Sequence, residues 1–168
     1  MTDFESMNYD EIISYFDKNG AKFDDGRINY KACLEAPVVN IFVMYNNELL
    51  LVKRSHNVMA YQGKWNSVSW FLDEKVSLEK KVHEELREEL NIKPDIIQDM
   101  KVGKILILND ESIERKRIIF PVLITLSKQP DITLDKEHTE YLWINPAMMK
   151  SFDIIPRLEE VYDCVKEG

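Results

Sequence analysis

Residues 77–92 read Ser-Leu-Glu-Lys-Lys-Val-His-Glu-Glu-Leu-Arg-Glu-Glu-Leu-Asn-Ile. Glu84 and Glu88 lie four apart, as do Glu85 and Glu89, and Glu85 and Glu88 lie three apart. On a helix each such like-charge pair costs roughly 0.2–0.5 kcal/mol. The spacing predicts that these four carboxylates crowd one side within about a turn and a half. A hard divalent cation turns that repulsion into attraction, because Mg²⁺ prefers oxygen ligands and keeps waters that substrate phosphates can replace. A solvated, salt-bridged helix accounts for the same residues without a metal. Lys80 precedes Glu84 by four, Lys81 precedes Glu85 by four, and Arg87 follows Glu84 by three.

The elements around the glutamates decide whether they can act together. Leu78, Val82, Leu86 and Leu90 fall four apart and form a buried stripe. Ser77 suits the N-cap and Glu79 the first turn. Asn91 tolerates the left-handed backbone just past a C-terminus, and Pro94 prevents resumption. Upstream, 38–45 and 49–53 read as strands joined by an Asn46-Asn47 turn. Residues 55–76 lack a period and predict a long loop with one short strand. Downstream, 102–108, 117–126 and 140–144 read as strands. Pro146 opens a helix, and 156–166 predicts another. In residues 1–36, Tyr9, Ile12, Ile13 and Phe16 recur at helical spacing before Asn19-Gly20, and Asp24-Asp25-Gly26 marks a turn. This segment is expected to be an appendage to a domain spanning 37–168. The order is α+β, one long helix against a mixed or antiparallel sheet.

A chain of 168 residues supports one domain with one core. Its 45% apolar and 31% charged residues exclude a disordered or fibrous protein. Thirty acidic residues against 22 Lys and Arg leave a net charge of −8, which disfavours a nucleic-acid polymer as partner. A small anion remains open if cations neutralise its site. Apolar runs stop well short of the ~20 residues of a membrane span, and no leader-like start is visible. Cys33 and Cys164 are solitary, so reduced thiols and a cytoplasmic location are expected.

The strand pair ending Leu-Leu-Leu-Val-Lys-Arg, then Gly63-Lys64-Trp65, then Glu85-Leu86-Arg87-Glu88-Glu89-Leu90-Asn91-Ile92, resembles the Nudix hydrolase superfamily. That signature is G-x5-E-x7-R-E-U-x-E-E-x-G-U, with U a bulky apolar residue. Glu85, Leu86, Glu88, Glu89 and Ile92 match it, whereas Trp70, Val76, Glu84 and Asn91 replace its first Gly, first Glu, Arg and last Gly. Residues 137–144, Glu-His-Thr-Glu-Tyr-Leu-Trp-Ile, look like the strand that precedes a terminal helix in the family.

The resemblance implies an α/β/α sandwich around a mixed sheet, with a loop-helix-loop carrying the glutamates. It implies one to three Mg²⁺ or Mn²⁺ ions held by Glu85, Glu88 and Glu89. The implied reaction is a pyrophosphatase-type hydrolysis of a nucleoside diphosphate linked to another moiety, by water attack at phosphorus. Glu88 and Glu137 are the implied catalytic carboxylates, with Glu140 and Glu111 behind Glu137. Dimers being frequent in the family, a homodimer is among the expectations.

The four departures from the signature motivate a second reading, an inactive fold that binds a nucleotide or a protein. A third, isopentenyl-diphosphate isomerase, is disfavoured because no Cys stands near Trp65 and the chain has three His in all. Arg54, at the end of the second strand, and Trp65 and Trp70 are candidate substrate-binding residues, the indoles by stacking. Solvation for the first and loop packing for the others are the competing roles. His56, His83 and His138 form no metal pair at helical spacing.

Overall fold

The computed structural model describes residues 2–110 and 114–166. Its centre is a parallel pair, β1 (Glu35–Tyr45) and β7 (Arg115–Leu126), in register from Glu35 opposite Lys116 to Met44 opposite Thr125. Each of the two changes antiparallel partner along its length. β1 pairs with β4 (Val68–Phe71) through residues 38–41 and then turns at Asn46-Asn47 into β2 (Glu48–Arg54). Both turn asparagines have positive φ, 53° and 63°, as the expected tight hairpin requires. β2 carries β3 (Trp65–Asn66) and β8 (His138–Ile144).

β7 is flanked first by β6 (Leu106–Asp110) and then by β5 (Ile97–Val102). The continuous strand expected over 102–108 is therefore broken. Leu106 pairs with Ile119 and Val102 with Val122, so the break lies beside Pro121. Proline has no N–H to give a neighbour, and its carbonyl accepts from Gly103 N (2.9 Å). Gly103 also touches the C-terminal segment. A Cβ there would fall 2.3 Å from the Cys164 carbonyl oxygen and 2.6 Å from Val165 Cγ1. Gly103→Ala is expected to cost about 1–3 kcal/mol, read as a fall of several degrees in the thermal midpoint.

Helices cover both faces. α1 (Tyr9–Asn19) starts at a reciprocal cap between Asn8 and Glu11, and α2 (Leu78–Leu90) starts at Ser77, whose side chain accepts from Lys80 N. Asn91 ends α2 in the left-handed conformation at φ 59°. Ile12, Ile13 and Phe16 of α1 join Val82, Leu86 and Leu90 of α2 in one apolar cluster with Val39, Ile41, Phe120 and Val122 of the sheet. On the other face α3 (Leu158–Asp163) and a 3-10 turn (Pro146–Ser151) pack on Phe42, Leu51 and Ile119. The expected helices after Pro146 and over 156–166 are thus a 3-10 turn and a shorter helix. The result is the expected α/β/α sandwich. The α2 stripe, at roughly 1.5–3 kcal/mol per buried aliphatic side chain, outweighs the like-charge cost of its glutamates several-fold.

Candidate active site

α2 divides the glutamates that its spacing alone would group. Glu85 and Glu89 turn inward and are each 3% exposed, whereas Glu88 is exposed and Glu84 half-buried. Glu84 shares a shallow outer groove with Lys80, His83 and Arg87. The expectation of four carboxylates on one side is corrected to an inward pair one turn apart.

The inward pair meets two different surroundings. Glu85 lies 3.6 Å from the ammonium of Lys81, itself 3% exposed, which also contacts Asp73 (2.8 Å) and Glu74 (3.3 Å). Burial opposes the lysine's charge, but its hydrogen bond to Asp73 and the nearby carboxylates raise its pKa overall. Burial pushes Glu85 up to about 7, against the pull of Lys81 and with Glu88 adding to the rise. Among the described residues no such counter-ion pairs with Glu89. Both of its carboxylate oxygens are buried without a hydrogen-bond partner. Burial, with Glu85, Asp135 and Glu137 as like charges, pushes it up to about 9, Arg54 only partly offsetting them.

Asp135 comes from the segment entering β8, and His138 is the first residue of that strand. Their ligand atoms and a Glu89 oxygen all lie within 4.8 Å of one another, and His138 Nδ1 is 2.8 Å from Asp135 Oδ1. An orphaned buried carboxylate beside a second carboxylate and an imidazole fits a divalent cation, by both charge and donor type. The sequence reading did not bring Asp135 and His138 together with Glu89. The three-residue spacing between them was the available signal, but their partner Glu89 is remote in sequence.

A cleft of about 560 Å³ lies alongside, lined by Arg54, Asn66, Trp70, Arg117, Lys136 and Glu137 among others. Arg54 donates Nε to the Ala60 carbonyl (2.9 Å), and burial lowers its pKa despite Glu137 and Glu89. It thus joins the cleft electrostatically to Glu89. Arg117 lies 3.6 Å from Asp110, which also accepts from the Tyr61 hydroxyl. Trp70 pairs with Val39 in extended backbone, so the glycine it replaces has no conformational duty here.

Trp65, the other indole expected to stack on substrate, is not among the residues lining this cleft. It packs against Phe152 with ring centroids 6.1 Å apart and bridges Ile154, while its neighbour Asn66 faces the cleft. Glu140 pairs with Lys53 (3.2 Å) on the exposed surface of β8. Glu111 lies outside the described residues.

The loop before α2 is held by the N-terminal segment. Tyr9 donates its hydroxyl to the Val76 carbonyl and Tyr30 to the Leu72 carbonyl, each at 2.7 Å. Ile28 N donates to the Asp73 carbonyl (2.8 Å), and Arg27 lies 3.7 Å from the Asp73 carboxylate.

No protein-family model matches the chain, and no curated protein matches it by sequence. Solved structures do match it by shape. The MutT protein of Methanosarcina mazei Go1 is 24% identical, with a TM-score of 0.59 over 77% of this chain and 91% of that one. The Nudix domain of Shewanella oneidensis NrtR, complexed with ADP ribose, is 17% identical with a TM-score of 0.64 over 94% and 97%. A C. elegans Ap4A hydrolase in a binary complex is 14% identical with a TM-score of 0.61 over 76% and 93%. The sandwich of helices on a mixed sheet is the architecture these structures share: the chain has the Nudix fold.

Proposed function

We propose that the protein is a divalent-metal-dependent hydrolase of a nucleoside diphosphate linked to another moiety. The observation that carries this reading is Glu89, a buried carboxylate with both oxygens unpartnered, set against Asp135 and His138. These three residues would hold Mg²⁺ or Mn²⁺, which when bound supplies charge neutralisation and Lewis acidity at a diphosphate. Arg54, Arg117 and Lys136 bring positive charge to the cleft wall and draw the phosphates in. Trp70 offers an aromatic surface to the base or sugar. Glu137 faces the cleft and is the proposed acceptor of the proton from the attacking water. Glu88 stands exposed on the rim of α2, one turn from Glu84, and is the reserve carboxylate for that step or for the ion.

The test is a panel of nucleoside-diphosphate derivatives with Mg²⁺ or Mn²⁺. Turnover of at least one member is expected, and Glu89→Gln should lower kcat by about 10²-fold or more, the scale for losing one electrostatic stabiliser of the transition state. The neighbour bound to ADP ribose spans nearly the whole of this chain, which favours a second reading, a nucleotide-binding module without turnover. That reading is selected if no panel member is cleaved while one of them raises the thermal midpoint.

A further inference from the structure

Val76 and Glu84 remove a loop carboxylate and a helix cation from the resembled signature, yet the same kinds of group reappear nearby. Asp73 and Glu74 supply loop carboxylates, and Lys81 supplies a cation one turn before Glu85. The lysine is as buried as the glutamate it faces. It donates to the loop carboxylates of Asp73 and Glu74 and lies 3.6 Å from that of Glu85 on the helix. A buried ammonium ringed in this way takes the place, in charge, of an ion bridging loop to helix. One turn further on, the Glu89 oxygens face no donor.

We infer that Lys81 is a resident cation occupying one half of the carboxylate centre, so that the protein takes a single divalent ion, at Glu89, Asp135 and His138. The inference rests on the metal-dependent reading above and adds the number of ions and the residue that sets it. Lys81 acts as a positioning residue. It touches no substrate-lining group of the cleft, and it holds Glu85 and the Asp73 loop in place. A second ion beside Glu85 would have to displace an ammonium that Asp73, Glu74 and Glu85 already hold within 3.6 Å.

The experiment is titration of the metal-free protein with Mn²⁺, free ion being read by electron paramagnetic resonance, alongside the thermal midpoint. The expected result is one ion per chain for the native sequence and for Lys81→Arg. Lys81→Met should bind two, because it leaves Asp73, Glu74 and Glu85 around the vacated position. Asp73→Asn should still bind one ion, with a dissociation constant changed less than threefold, and this holds the inference open to refutation if Lys81→Met does not fold. Two ions on the native protein, one on folded Lys81→Met, or a tenfold weaker ion in Asp73→Asn would each overturn the inference while leaving a metal enzyme intact. No bound ion at all would overturn the metal-dependent reading and the inference together.

Discussion

Metal-free protein carrying Glu89→Gln is expected to be more stable than the native sequence at pH 8, and to have lost its divalent ion. The native carboxyl, ordinarily near 4.5, is pushed up to about 9 by burial and by its acidic neighbours. The folded state therefore binds more protons than the unfolded state between those two values. Stability falls as pH rises wherever the folded state is the more protonated one. Over the 2.5 units from 4.5 to 7, at about 1.4 kcal/mol per unit, the loss reaches about 3 kcal/mol from this one group. Glutamine keeps the shape and has no proton to lose. Denaturant melts from pH 5 to pH 9 without metal should show a descending native curve and a flatter variant curve that crosses above it. Adding Mn²⁺ should lift the native curve most at high pH, since the ion meets a carboxylate that is free to ionise there. A native curve without this slope would mean that Glu89 ionises freely in the folded protein, and the site would lose its foundation.

Lys81→Ala should be the most damaging single change in the loop-helix junction. Removing one partner of a buried ionic cluster leaves the others charged in low dielectric, at a cost of about 3–5 kcal/mol. Three carboxylates are left behind here, Asp73 and Glu85 being nearly as buried as the lysine. Combining Lys81→Ala with Asp73→Asn should recover part of that loss, because the neutral pair no longer strands the most buried loop charge. Double-mutant analysis of the urea midpoints measures the coupling, expected above 1 kcal/mol for groups 2.8 Å apart. Strictly additive midpoints would mean that the contact contributes little.

The helix, its two caps and the hairpin were legible because each depends on local chemistry. Ser77, the Leu78–Leu90 stripe and Asn91 act through spacings of one to four residues, and all three behave as read. The pairing of β7 with β1 depends on partners roughly 80 residues away, and the break beside Pro121 on which strand docks there, so both leave little local trace. The site divides in the same way. The inward turn of Glu85 and Glu89 and the outward turn of Glu84 and Glu88 follow from which side of α2 its leucines bury. Simple counting of glutamates does not contain that. Asp135 and His138 reach Glu89 only once β8 has docked on β2. Trp65 and Trp70 looked equivalent in one loop, and strand alternation sends them to different surroundings.

Tyr30 has a reach out of proportion to its size. Its hydroxyl holds the Leu72 carbonyl next to Asp73, and its own carbonyl accepts from Arg115 Nη2 (2.8 Å) at the cleft wall. One amino-terminal residue thus spans from the loop that anchors the ammonium to the surface where phosphates would settle. Trimming the polypeptide back to its first long strand would leave most hydrogen bonds of the sheet in place. It would also remove Ile12, Ile13 and Phe16 from the core and cut the brace between that loop and the cleft wall.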